Sequence, residues 1–228
     1  MRLTCPHFIG CTDRFSRVTV FAFLPTPPNA FRSPYMMTRQ LALAALTPLL
    51  AQAALAAPTT YQIEPTHTYP SFEADHMGGL SVWRGKFNKT SGSVTFDKTA
   101  QQGTVDITVD IDSIDYGFDL MNTKAKSEEL FDAAKYPTAT YKGKLAGFKK
   151  GMPTKVMGDL TLRGITKPVQ LNIVSFKCMP HPMVKREVCG ADAMATFKRD
   201  DFGMAAGKDW GFKMDVTLRI QVEALAAE

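Results

Sequence analysis

Histidine and acidic side chains are the groups in this sequence that could act in catalysis or bind a metal. Residues 57–228 contain three histidines, His67, His76 and His181. The ring nitrogens of His67 and His76 could coordinate a metal ion or haem, but histidines that hydrogen-bond within turns or strands explain the same pattern. GxSxG, HExxH, CxxC and glycine-rich phosphate-loop motifs are absent from the sequence. We therefore predict no enzyme activity and no metal site, with a histidine-dependent metal or haem protein as an alternative.

Three aspartates, Asp110, Asp112 and Asp115, lie close together and form a second candidate site. Carboxylate oxygens are the ligands that calcium prefers, but this segment lacks the loop glycine and the closing glutamate of a calcium-binding loop. Most other carboxylates alternate with threonine and lysine, which is typical of the solvated face of a strand. Calcium binding therefore remains only an alternative.

The N-terminal part of the chain has the features of a secretory signal peptide. Residues 36–56 contain a basic residue, Arg39, then an apolar stretch over 41–50 and an A-x-A motif at 54–56. This pattern predicts cleavage before Ala57 and a periplasmic or secreted protein of a Gram-negative bacterium; a buried Ala/Leu-rich helix is the alternative. We interpret residues 1–35 as an upstream extension from a misassigned start codon, or else as an unusually long basic region of the signal.

The predicted mature segment, 57–228, is long enough for one domain with a sizeable core. The chain carries 27 Lys and Arg against 22 Asp and Glu, but residues 1–56 hold five of these basic residues and one of the acidic ones. The mature segment thus has 22 basic and 21 acidic residues. This balance argues against nucleic acid and against an anionic membrane surface as partners.

Two cysteines, Cys178 and Cys189, lie in the mature segment. In an oxidising compartment such a pair predicts a disulfide, which would stabilise the fold by roughly 2–3 kcal/mol through loop entropy. Two free thiols are the alternative. A zinc site would need more ligands than the neighbouring His181 supplies.

Apolar and polar residues alternate with a period of two along much of the mature segment, as expected for strands with one buried face. The stretches with this pattern are 104–111, 212–222, 72–76, 93–96, 138–145, 156–162, 169–176 and 191–197. We expect turns where glycine follows a polar residue, at 91–92, 102–103, 150–151 and 163–164. Many short strands of this kind favour an antiparallel sheet closed into a barrel, or a sandwich.

One segment, 122–135, breaks this alternation and consists mostly of good helix formers. Asn122 can cap its start. Pro137 ends it, because the residue before a proline is pushed into an extended conformation. We predict a helix of about three turns, inserted between the strands.

The interior of an eight-stranded barrel either fills with side chains or holds one small ligand. Unfilled volume is indicated by small residues at apolar positions: the alternating alanines Ala191, Ala193 and Ala195, together with Gly85 and Gly158. A closed core is normally densely packed. Packing of the alanines against a covering helix is the alternative. The period of two assigns these inward residues: Phe72, Ala74, His76, Val105, Ile107, Val109, Ile111, Val156, Leu160, Leu162, Ala191, Ala193, Ala195, Phe212, Met214, Val216, Leu218 and Ile220.

Six segments, in order, resemble the YceI-like family of bacterial secreted proteins. They are YQIEPTHT (61–68), Phe72 and His76 with RGKF (84–87), DSID (112–115), ELFD with KYPT (129–138), GDLTLRGITKPV (158–169) and KRDDFGM (198–204). Together they cover essentially all of residues 60–223. The loop at 116–122 departs from the pattern of many members, which have Thr-Gly and then an arginine–aspartate pair there, and this argues against a head-group contact from that loop.

The resemblance implies an all-β, mainly antiparallel fold, a lipocalin-like eight-stranded β-barrel with a short helical insertion around an elongated apolar tunnel. It also implies an isoprenoid lipid or isoprenoid quinone as ligand, with no cofactor of its own. Related domains fused to b-type cytochrome membrane domains imply a membrane cytochrome or another quinone-using partner, and the sequence leaves a homodimer open. His76 and Arg84 are, by position, the candidates to contact a polar head.

Three classes of function are compatible with these features. The first is a carrier of an isoprenoid lipid or quinone, in which each buried CH₂ group contributes about 0.8 kcal/mol. The second is a structural or stress-related barrel with a packed core, and the third is the histidine-dependent metal or haem protein. Lipid in an organic extract distinguishes the first, and a metal or visible-absorption signal distinguishes the third.

Overall fold

A computed structural model of the chain describes residues 57–228. The predicted upstream extension, 1–35, and the predicted signal peptide, 36–56, lie outside the described residues. The strands are β1 Thr59–Ile63, β2 Tyr69–His76, β3 Ser81–Phe87, β4 Thr90–Asp97, β5 Gln102–Asp110, β6 Ile114–Asp115, β7 Thr138–Ala146, β8 Lys155–Leu162, β9 Ile165–Pro168, β10 Leu171–Pro180, β11 Glu187–Lys198 and β12 Asp215–Ala226, and the helix α1 is Asp119–Lys126. No helix within 57–228 has the length and apolar character needed to span a membrane.

Eight of these strands close into an antiparallel barrel. Their order is β1-β4-β5-β7-β8-β10-β11-β12, and pairing of β12 with β1, with Tyr61 opposite Ala226, closes the ring. β2 pairs with the first half of β12, β3 pairs with β2, and β6 pairs with β3, while β9 forms a hairpin with β8. The predicted fold class, an eight-stranded antiparallel barrel with a short helical insertion, is confirmed.

The strand register defines two ends of the barrel. β12 begins at Asp215, which pairs with Lys198. It ends where it pairs with β1, next to the connection between β10 and β11. We call that end the base. The opposite end, which we call the mouth, carries the hairpin between β2 and β3, α1 and residues 199–214.

A disulfide joins Cys178 and Cys189, as the sequence predicted. The two residues lie directly opposite each other on β10 and β11, and the loop between these strands lies at the base. Within that loop, Nδ1 of His181 accepts the backbone N–H groups of Met183 and Val184. This histidine therefore closes a turn.

The helix differs from the predicted one at both ends. α1 begins at Asp119, after Phe118, whose side chain provides no capping hydrogen bond. Asn122 lies inside the helix, and its Oδ1 accepts the backbone N–H of Tyr116. The chain after Lys126 folds back, because Asp132 adopts a left-handed conformation (φ 50°) and the N–H of Phe131 bonds to the carbonyl of Ala125. Residues 127–135 are mostly good helix formers, but these contacts with α1 hold them in turns.

Some predicted strand and turn positions are also wrong. Residues 91–92 lie inside β4, and residues 102–103 begin β5 after a turn at 98–101. The strand predicted from Phe212 begins at Asp215, and Ile111 belongs to a short 3-10 helix, Ile111–Ser113. The turns at 150–151 and 163–164 are confirmed, and both central residues of each have positive φ, as two-residue hairpins require.

Candidate ligand-binding cavity

The barrel encloses a cavity of about 1000 Å³. It reaches from Tyr61 and Phe96 at the base to Trp83 and Trp210 at the mouth. This volume lies at the upper end of the range for small-molecule sites. A fully packed core, one of the functional alternatives, is therefore inconsistent with the structure.

Most of the residues predicted to face inward line this cavity. β2 contributes three of them, β5 three, β8 three, β11 two and β12 three, in each case from one face of the strand. The predicted residues in the wall are Phe72, Ala74, His76, Val105, Ile107, Val109, Ile111, Val156, Leu160, Leu162, Ala191, Ala193, Phe212, Val216, Leu218 and Ile220. Alternation with a period of two brings them to one surface.

Three predicted ligand contacts lie elsewhere. Arg84 is on the outer face, with its side chain 68% exposed and its Nε donating to Oε1 of Glu73 at 3.0 Å. The alternation of β3 explains this, because Gly85 takes the inward position. Ala195 and Met214 are buried but not in the cavity wall. Other residues of the core cover Ala195, and Met214 lies before the first residue of β12, where the alternation that assigned it does not apply.

The two glycines that suggested unfilled volume do not supply it. A Cβ atom on Gly85 would lie 2.7 Å from Cζ of Phe72 and 3.1 Å from a ring carbon of Tyr116. A Cβ atom on Gly158 would lie 2.5 Å from the carbonyl oxygen of Lys142 and 2.7 Å from Cα of Gly143, both on β7. Aromatic rings beside Gly85 and the backbone of β7 beside Gly158 therefore already occupy the space at these glycines.

Sequence reasoning missed many wall residues. On β7, the alternation of apolar residues could have identified Ala139 and Tyr141 as wall residues. On β10, a register shift between Ile173 and Ser175 disrupts the alternation, so its wall residues could not be found in this way. The missed residues include Tyr61, Trp83, Phe87, Val94, Phe96, Tyr116, Met121, Phe131, Ala139, Tyr141, Leu145, Leu171, Ile173, Phe176, Arg199 and Met204. Several of them come from loops, where no periodicity exists to assign them.

Aromatic side chains close the base of the cavity. The ring of Phe96 lies 6.1 Å from that of Phe148 and 5.9 Å from that of Phe176, measured between centroids. The hydroxyl of Tyr61 donates to Oε2 of Glu187 at 2.7 Å, and burial raises the pKa of Tyr61 well above its usual value. These contacts make the base a rigid, largely apolar floor.

The mouth combines polar groups with exposed apolar side chains. The imidazole of His76 stacks on Trp83 at 4.9 Å and meets Phe212 edge-on at 5.1 Å. Trp210 is 79% exposed, and Leu80 on the hairpin between β2 and β3 is 73% exposed. The apolar wall thus extends to the protein surface at this end.

The two candidate metal-binding histidines lie far apart. His67 is in the turn before β2, where its Nδ1 lies 2.6 Å from Oε2 of Glu64, and His76 ends β2 at the mouth. A strand of this length separates them by roughly 25 Å. They cannot share a metal ion, so the alternative of a site built from both is wrong.

The three aspartates at 110–115 are each engaged with a different group. Asp110 accepts the backbone N–H of Asp112, Asp112 lies 3.0 Å from the Nζ of Lys126, and Asp115 accepts the backbone N–H of Gly117. This last bond holds the pKa of Asp115 below its usual value. Within residues 57–228 the one grouping with metal-ligand geometry is Cys178, Glu187 and Cys189, and its two sulfur atoms form the disulfide.

These features define a class of protein, an antiparallel β-barrel with an internal apolar cavity that is closed by aromatic rings at one end. The family model of the YceI-like domain matches residues 61–224. A UPF0312 protein of Pseudomonas aeruginosa is 30% identical over 194 residues, which are 83% of this chain and 99% of that protein. The chain therefore belongs to the YceI-like family.

Solved structures share the fold. BcnA of Burkholderia cenocepacia superposes with a TM-score of 0.57 at 23% identity, covering 71% of this chain and 99% of that one. A polyisoprenoid-binding domain from Saccharophagus degradans, implicated in plant cell wall breakdown, superposes with a TM-score of 0.53 at 18% identity, covering 73% and 98%. At these identities the likeness establishes the barrel fold alone.

Proposed function

We propose that this protein binds one long-chain isoprenoid lipid or isoprenoid quinone inside the barrel and catalyses no reaction. The observation that carries this proposal is the apolar cavity of about 1000 Å³. A chain buried there is stabilised by about 0.8 kcal/mol for each CH₂ group, so few polar contacts are needed. The polyisoprenoid-binding domain with the same fold supports this ligand class.

The first prediction is that natively purified protein contains an isoprenoid that organic solvent extracts. Mass spectrometry of the extract identifies it. After delipidation, titration with the same compound should change the fluorescence of Trp83 and Trp210, the two tryptophans of the chain, because both line the cavity. Protein that contains no lipid and shows no fluorescence change with any isoprenoid would remove the case for a carrier.

We also propose that the protein is exported to the periplasm or secreted after cleavage before Ala57. The signal-like pattern of residues 36–56 and the disulfide between Cys178 and Cys189 both support an oxidising location. A membrane cytochrome or another quinone-using protein as delivery partner, and a homodimer, remain further proposals for interaction experiments.

The second prediction concerns this export. The intact mass of protein from the periplasm or medium, measured without reductant, should correspond to a chain that starts at Ala57 and has one disulfide. A maleimide should label neither Cys178 nor Cys189 until a reductant is added. An exported chain that retains residues 1–35, or two thiols that react without reductant, would contradict the proposal.

A further inference from the structure

Arg199 is a buried cation in the wall of the cavity, near the mouth. It directly follows β11 and is 8% exposed. One terminal nitrogen donates to the carbonyl of Met204 at 2.8 Å, and the other donates to the carbonyl of Ala206 at 2.6 Å. A guanidinium has five N–H donors, so donors remain for a further partner.

No carboxylate within the described residues 57–228 forms an ion pair with Arg199. The two acidic groups that influence it, Asp200 and Asp75, bond other groups through Oδ2, while Oδ1 of Asp200 is buried without a hydrogen-bond partner. Oδ2 of Asp200 pairs with Lys208 at 2.7 Å, and Oδ2 of Asp75 accepts the backbone N–H groups of Gly78 and Lys213 at 2.9 Å each. A buried charge is costly unless it is paired, and a ligand that supplies negative charge would remove this cost.

Tyr116 provides a second donor in the same part of the cavity wall, although it belongs to the loop 116–122, whose sequence argued against a head-group contact. Its ring meets Phe72 edge-on at 5.6 Å and Trp83 at 6.2 Å, which fixes the position of the phenol. In the described part of the chain its backbone N–H donates to Asn122, whereas its hydroxyl bonds no protein group. Burial raises the pKa of Tyr116 to about 12, so the hydroxyl stays protonated at neutral pH and can donate.

We propose that Arg199 and Tyr116 form a subsite for an anionic head, a phosphate or a carboxylate, on a lipid whose chain fills the cavity. This inference rests on the proposed function, because it assumes that a chain occupies the barrel. Anionic oxygens accept short, strong hydrogen bonds from a guanidinium. A neutral alcohol or quinone head would leave the charge of Arg199 without an ionic partner.

The test is a fluorescence titration of the delipidated protein with three probes: a prenyl phosphate, the prenyl alcohol of the same chain length, and a fatty acid. We expect the phosphate to bind at least about tenfold more tightly than the alcohol, since hydrogen bonds between charged groups are about twice as strong as those between neutral groups. Tighter binding of the fatty acid than of the phosphate would assign the subsite to a carboxylate.

Substitutions connect this preference to the two residues. In Arg199→Gln the preference for the phosphate should disappear, while affinity for the alcohol stays within about twofold, and Arg199→Lys should keep part of the preference because it keeps the charge. Tyr116→Phe retains the ring contacts, so it tests the subsite even if Arg199→Gln does not fold; it should weaken binding of the phosphate more than that of the alcohol. Arg84→Gln, which removes an arginine from the outer face, is the matched control and should change neither affinity.

The outcomes separate this inference from the proposed function. Equal affinities for phosphate and alcohol, or an unchanged preference in both Arg199→Gln and Tyr116→Phe, would overturn the anionic subsite while leaving the carrier intact. If no probe with a long chain binds, the proposed function fails and the subsite fails with it.

Discussion

Ala193→Phe is expected to abolish lipid binding while leaving the barrel folded. Ala193 lies in the middle of β11, opposite Ile173 of β10 and Ile220 of β12, and its methyl group faces the cavity. A phenyl ring at this position would occupy volume that a ligand chain needs. If it displaces several CH₂ groups, at about 0.8 kcal/mol each, affinity should fall about a hundredfold or more.

Ala195 provides a matched control on the same strand and the same face. It is as buried as Ala193 and belongs to the same packed core, but only Ala193 also lines the cavity. Ala195→Phe should therefore overpack the interior, which typically costs about 1–3 kcal/mol. For a domain of this size the midpoint of thermal unfolding should fall by about 2–10 °C.

Two measurements on the two variants test whether the ligand chain runs past Ala193: the thermal midpoint after delipidation and the isoprenoid recovered by extraction. We expect Ala193→Phe to lose lipid at nearly unchanged stability, whereas Ala195→Phe loses stability. If Ala193→Phe is instead strongly destabilised and still contains lipid, the ligand does not run past β11 and the assigned cavity wall is wrong.

The rows of inward residues could be predicted because strand geometry leaves a sequence little freedom. Along β5 and β12 every second residue is apolar, and a shift by one position would turn Asp106 or Arg219 into the interior. Local alternation did not settle whether the sheet closes, because that depends on one distant pairing, Tyr61 with Ala226. The resemblance to a family was needed for that step.

The loops and the register irregularities could not be predicted by the same reasoning. Arg199 and Tyr116 lie outside regular strands, and only the folded chain places both in the cavity wall. Arg84 was predicted to contact the head group because of its position in the sequence. However, the alternation of β3 places Arg84 and Phe87 on opposite faces of the strand, and Phe87 lines the cavity. Proximity in the sequence to inward residues was a weaker guide than strand parity.

Gly92 shows how a local rule can mislead. The pair Ser91–Gly92 predicts a turn, because glycine commonly supplies positive φ in hairpins. In the structure Gly92 has a φ of 130°, yet it lies within β4 and opposite Ile107 of β5. There the missing side chain permits close approach of the neighbouring strand rather than a reversal of the chain.

We expect Gly92→Ala to destabilise the barrel by more than about 3 kcal/mol, because it combines backbone strain with a steric clash. A Cβ atom at this position would lie 2.1 Å from the carbonyl oxygen of Asp106 and 2.9 Å from Cα of Ile107. Both are backbone atoms of β5, so no side-chain rotation can relieve the overlap, and β4 would have to separate from β5. Since Ile107 also lines the cavity, lipid binding should weaken as well.

The matched control is Gly190→Ala on β11, where the nearest atoms to a new Cβ lie 3.7 Å away, at ordinary van der Waals distance. An alanine fits there without strain and reduces the freedom of the unfolded chain, so stability should stay equal or rise by about 0.4–1 kcal/mol. Urea unfolding of the delipidated proteins, followed by tryptophan fluorescence, measures both effects. Equal stability of Gly92→Ala and the parent would mean that β4 and β5 do not pair in this register, and the positions assigned to Val94 and Ile107 in the cavity wall would then also be wrong.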